Sequence, residues 1–93
     1  MNKEEAAQIL KEYLEDYRLR SYDELLCLVE DQHRYEVTGK SGQFYQIELS
    51  GFWDDKKLGN LRVCGSIDDG GLRAFFPVTD SFIIAPDGRF IDE

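Results

Sequence analysis

From Tyr45 the apolar side chains fall on odd positions, Tyr45, Ile47, Leu49 and Trp53, with Gln46, Glu48 and Ser50 between them. This is the period of two that turns one strand face to a core and the other to water. Leu61, Val63, Gly65 and Ile67 repeat it against Arg62, Cys64, Ser66 and Asp68. Asp68-Asp69-Gly70-Gly71 then supplies residues suited to reversing the chain. Leu72 to Phe76 is expected to return as a strand that stops at Pro77, whose missing N–H ends a ladder. Upstream, Arg34 to Thr38 predicts a strand with Tyr35 and Val37 inward, joined to the next by a Gly39-Lys40-Ser41-Gly42 turn. Downstream, Pro77 to Asp80 reads as a bend and Ser81 to Ala85 as a short strand. A turn at Ala85-Pro86-Asp87-Gly88 leads to a terminal edge strand, Arg89 to Ile91.

The first thirty residues carry a different period. Ala6, Ala7, Ile9, Leu10, Tyr13, Leu14 and Tyr17 fall within an arc of about 160° on a helical wheel, with charged residues opposite. This stripe predicts a helix over about 3–19 that covers the sheet. Asn2 is its expected cap, with Glu5 reaching back to the Asn2 amide. Ser21-Tyr22-Asp23-Glu24 forms a second capping signal ahead of Leu25, Leu26, Leu28 and Val29, so a short helix over about 22–30 is expected, a buried strand over 25–29 being the alternative. Helices followed by a run of strands predict an α+β domain: one or two N-terminal helices packed on an antiparallel meander of four to five strands, sheet about 34–91.

Ninety-three residues suffice for one such domain and one core. Nineteen acidic against eleven basic residues give a net charge of −8. That charge repels phosphate backbones and anionic bilayers, so neither nucleic acid nor membrane is an expected partner. The N-terminus lacks the charged-then-apolar pattern of a signal peptide, and the expected location is cytoplasmic. Cys27 and Cys64 form no paired motif and are expected to be reduced, Cys27 in the core.

Phe52-Trp53-Asp54-Asp55, Gly65 to Gly71, Phe75-Phe76-Pro77, Phe82-Ile83 and Pro86-Asp87-Gly88 together resemble the closing half of a family of small bacterial proteins with no assigned activity. The resemblance covers about the last forty residues. It implies a bacterial, cytosolic domain and transfers no catalytic residue.

Candidate chemistry is sparse. Asp54, Asp55, Asp68, Asp69 and Asp80 are oxygen ligands by type, but their spacing is that of turns and not of a calcium loop. His33 is the only histidine. A cysteine nucleophile would need Cys27 or Cys64 beside it and a third group to orient the ring. The glycines open no helix, so no phosphate cradle is expected. No catalytic, cofactor-binding or metal residue is assigned from sequence, and no enzyme is expected.

The polar side of the sheet is more informative. Phe44, Phe52 and Phe75 fall on it by alternation, together with Arg62 and Arg73, which are expected to pair with Glu48 or Asp68. Phenylalanines on a wet face mark an interface, unless a second layer covers them or a bulge near Gly51 shifts the register. Two functional expectations follow. One is a small acidic, non-catalytic binding domain that uses Phe44, Phe52, Arg62, Arg73 and Phe75 to hold a protein partner or its own copy. The other is a small-molecule binder or enzyme with a pocket between helix and sheet, lined by Tyr13, Tyr17 and Trp53.

Overall fold

The computed structural model describes residues 2–71 and 77–91. Its chain order is α1 (Lys3–Tyr17), α2 (Tyr22–Leu25), α3 (Cys27–Glu30), then β1 (His33–Thr38), β2 (Phe44–Trp53), β3 (Leu61–Asp68), β4 (Val78–Ile84) and β5 (Phe90–Ile91). The five strands form one antiparallel sheet in sequential order, an α+β meander with the helices on one face. No helix among the described residues is long and apolar enough to cross a membrane.

α1 is capped as expected at its backbone, the Asn2 Oδ1 accepting the Glu5 N–H at 3.0 Å. The Glu5 carboxylate, however, does not return to Asn2. It accepts from the Ser41 N–H at 3.0 Å, the Ser41 hydroxyl at 2.6 Å and the Tyr45 hydroxyl at 2.8 Å, tying the start of α1 to the β1–β2 turn. Three donors on one carboxylate outcompete a single local amide. They also hold the Glu5 carboxyl below its ordinary range, the Ser41 hydroxyl contributing most. The helix stops at Tyr17, two residues before the expected end, and Leu19 is 86% exposed. Arg18, expected on the solvated face, lies over the rings of Phe82 and Phe90, 4.9 Å from each centroid.

Residues 22–30 are helical and not a strand, started by a capping box in which the Ser21 hydroxyl and the Glu24 carboxylate serve each other's ends. The path is interrupted at Leu26, where the Val29 N–H bonds to the carbonyl three residues back. Leu25 and Leu28 face inward at 0% and 1% exposure. This i, i+3 pair turns Cys27 outward, so the thiol expected in the core is exposed.

β2 and β3 follow the sequence pattern. On β2, Tyr45, Ile47 and Leu49 are buried, and on β3 so are Leu61, Val63 and Ile67. Their register runs unbroken from Gln46 opposite Asp68 to Trp53 opposite Leu61, so there is no bulge near Gly51. Gly65 lies beneath α1 with no space to spare: a Cβ there would lie 2.7 Å from Leu10 Cδ1 and 2.9 Å from Leu49 Cδ2.

The partner of β3 is a correction. Val78–Ile84 pairs along β3 from Ile67 opposite Val78 to Leu61 opposite Ile84, so the expected bend at Val78 to Asp80 is strand. The expected strand Leu72 to Phe76 lies outside the described residues. Val78, Phe82 and Ile84 alternate toward the core, but Asp80 occupies the remaining inward position, opposite Gly65, and is exposed. That single carboxylate interrupts the period of two and hides the first part of the strand from a pattern reading, while its second part is the strand expected over Ser81 to Ala85. The closing hairpin forms as expected, with Gly88 at φ 89° and the Ala85 N–H bonded to the Arg89 carbonyl at 2.8 Å.

Candidate functional site: the outer face of the sheet

The face of the sheet away from α1 is built from alternate positions of four strands. Phe44, Gln46, Glu48, Ser50 and Phe52 come from β2, and Arg62, Cys64, Ser66 and Asp68 from β3. Because β2 has no bulge, Phe44 and Phe52 share this face, 41% and 54% exposed. Eight residues of strand at roughly 3.3 Å each put them about 26 Å apart. Between them lies a groove of about 510 Å³, bordered by Glu48, Ser50, Arg62, Cys64, Ser66, Thr79 and Ser81.

Arg62 is the fixed point of the groove. It sits between Phe52 on β2 and Ile83 on β4. Its guanidinium donates to Asp54 Oδ1 at 3.0 Å and to Ser81 Oγ at 3.2 Å. The expected pairing with Glu48 or Asp68 is not the one found. Glu48 instead meets Arg34 across β1, at 3.5 Å, because those two residues are directly opposite. Asp68 turns to the backbone and accepts the Gly70 N–H at 2.8 Å. Ile83, on this outer face by parity, is only 4% exposed, so the end of the groove near β5 is apolar and closed while the middle is polar.

The face is acidic on balance. Each of its two described cations, Arg34 and Arg62, meets a carboxylate, and Glu36 and Asp68 add further negative charge. Arg73 and Phe75, the other two expected members of this surface, lie outside the described residues.

Four of the aspartates named from sequence divide between the two ends of β3, and the fifth, Asp80, lies midway along β4 opposite Gly65. Asp54 and Asp55 lie before β3 and Asp68 and Asp69 close it, so strand length separates them. Asp54 meets Arg62, and Asp55, Asp68 and Asp69 serve their own turns. Asp55 Oδ1 accepts the Lys56 and Asn60 N–H groups at 2.7 and 2.8 Å, and Asp69 Oδ1 accepts the Gly71 N–H at 3.0 Å. These backbone donors hold both carboxyls below their ordinary range, that of Lys56 dominating for Asp55 and that of Gly71 for Asp69. No group of three or more metal-ligating side chains occurs among the described residues.

The residues expected to line a pocket under the helices are dispersed. Tyr17 is buried at 1% exposure, Trp53 packs at the margin of the core, and Tyr13 borders a shallow groove of about 350 Å³ with Ile9 and Val37. What the sequence did not disclose is the polar knot around Tyr17. Its hydroxyl meets Tyr35 Oη at 2.6 Å and His33 Nδ1 at 2.5 Å, and the Arg20 guanidinium lies 3.8 Å from its ring centroid. Burial first, and then the Tyr35 hydrogen bond, push the Tyr17 phenol well above its ordinary value. A scan of protein-family models gives no match to the chain, and neither the curated proteins nor the solved structures contain a similar one.

Proposed function

We propose that the chain is a small acidic, non-catalytic interaction domain whose outer sheet face holds a basic segment of a protein partner. The observation that carries this reading is the exposure of Phe44 and Phe52 on one straight strand, at the two ends of a polar groove. Their separation suits a standard interface, since about 800 Å² per partner corresponds to a disc roughly 30 Å across. Aromatic anchors with polar groups between them are the composition of a recognition surface. Charge selects among occupants. Two copies that each carry −8 repel one another, whereas a basic segment is drawn to Glu36, Glu48 and Asp68.

The test begins with the solution mass over a concentration series, by light scattering after size exclusion. The expected result is a monomer near 10.8 kDa throughout. The partner is then sought at low salt with the wild type and with Phe44→Ser/Phe52→Ser as baits. A basic protein bound by the first, released by salt and lost by the second is the expected outcome. A dimer that dissociates on Phe44→Ser would replace the basic partner with a second copy. Partners that bind both baits equally would overturn the assignment of this face.

A further inference from the structure

On the opposite side of the sheet, away from the groove, the structure assembles a thiol, an imidazole and a buried phenol. Cys27 is exposed, at the start of α3, and its Sγ lies 3.8 Å from His33 Nε2. The other ring nitrogen, Nδ1, is 2.5 Å from the Tyr17 hydroxyl. Tyr17 is itself held by Tyr35 at 2.6 Å, and the Arg20 guanidinium lies over the Tyr17 ring, 3.8 Å from its centroid. These are the parts whose absence from the spacing argued against cysteine chemistry: a base beside the thiol and a third group that orients the base.

The arrangement that exchange requires has Tyr17 donating its one proton to Tyr35 and accepting Nδ1–H from His33. That polarity leaves Nε2 with its lone pair toward Cys27. The thiol proton rests on the Glu24 carbonyl, 3.1 Å from Sγ, and rotation about the Cβ–Sγ bond aims it at Nε2.

We propose that Cys27 is a thiol–disulfide exchange site, with His33 as its proton acceptor and Tyr17 as the positioning residue for His33, and that it takes small cationic disulfides. As Sγ attacks one sulfur of the disulfide, Nε2 accepts the thiol proton. A new S–S bond forms, the original one breaks, and the departing thiolate takes the proton from the imidazolium and leaves as a thiol. The product is a mixed disulfide that free thiol reverses. Exchange needs a thiolate and a place for one proton, whereas acyl transfer also requires donors aimed at an oxyanion. Charge gives the preference for a cation: α2 and α3 carry Asp23, Glu24 and Glu30 and no basic residue, and Arg20, the cation of the cluster, meets Asp16 at 3.6 Å.

The test is the rate at which cystamine, a dication, adds to Cys27, read by peptide mass mapping so that Cys27 and Cys64 are scored separately. Folded wild type is expected to react at Cys27 roughly tenfold or more faster than the same chain unfolded in urea, a gain short of the roughly 10²–10⁴-fold that a fully engaged general base supplies. His33→Asn is expected to remove most of that gain and to flatten the pH dependence of the rate, and Tyr17→Phe to remove part of it. Oxidised glutathione, an anion, is expected to react more slowly than cystamine, with the difference shrinking in salt. A folded rate no faster than the unfolded one overturns the proposal without reliance on any variant. So does an unchanged rate and pH profile in a folded His33→Asn protein. Equal rates for the two disulfides overturn the preference for a cation.

Discussion

The two faces of this sheet are made from the same strands and specified by different physics. On the inner face Tyr45, Ile47, Leu49, Leu61, Val63 and Ile67 are all at 0% or 1% exposure, and α1 approaches until Gly65 leaves no room for a methyl group. On the outer face, position by position, the neighbours are polar side chains that settle into pairs such as Arg34 with Glu48 and Arg62 with Asp54. Volume governs one side and pairing the other. The inner face holds the fold, and the outer face is left open to variation and to partners.

The contrast is sharpest within β2. Leu49→Ala opens a cavity under α1 and is expected to cost about 2–5 kcal/mol, read as a shift in urea midpoint. Gln46→Ala, on the other face of the same strand, is expected to stay within about 0.5 kcal/mol. Similar costs at the two sites would break the distinction. A smaller effect comes from Gly65→Ala. The added methyl must displace the Leu10 and Leu49 side-chain ends, and the expected loss is about 1–3 kcal/mol, with an intact fold. Below that comes Asp54→Asn at the edge of the groove. A partly exposed ion pair of this kind is worth about 0–1 kcal/mol, so stability is expected to change little.

Glu5 provides the pH arm of the comparison, because it joins the helix layer to the rim of the sheet. Its folded pKa lies below the unfolded value, so its contribution is present above the unfolded pKa and is lost as pH falls through the folded one. Glu5→Gln is therefore expected to be less stable than wild type at neutral pH, with the two converging in acid. Parallel stability curves down to acid pH would mean that the Ser41 and Tyr45 contacts contribute nothing through charge.

The sequence disclosed what local periodicity carries. α1, β1, β2, β3 and the closing hairpin follow from alternation, helical arcs and turn residues, as does the placing of Phe44 and Phe52 on a wet face. It did not disclose what one residue or a distant contact decides. Asp80 masked the first part of β4 because a carboxylate stands at an inward position opposite a glycine. Cys27 read as core because the run around it is apolar, and only the break at Leu26 shows which residues of that run turn inward. The Arg62 partners were misread because Asp54 lies in a turn whose path no pattern specifies. The meeting of Cys27, His33 and Tyr17 joins three elements, and no spacing in the chain announces it.

The grip of Glu5 on Ser41 and Tyr45 also bears on the order in which the molecule assembles. Every strand pairs with its neighbour in sequence, so the sheet closes through short loops, and those contacts form early at small entropic cost. The Glu5 contacts instead span 36 and 40 residues and exist only once α1 has docked on a finished β1–β2 hairpin. They are expected to act as a latch on the last step: with Glu5→Gln, unfolding is expected to speed up while the refolding rate is unchanged, both read by stopped-flow fluorescence.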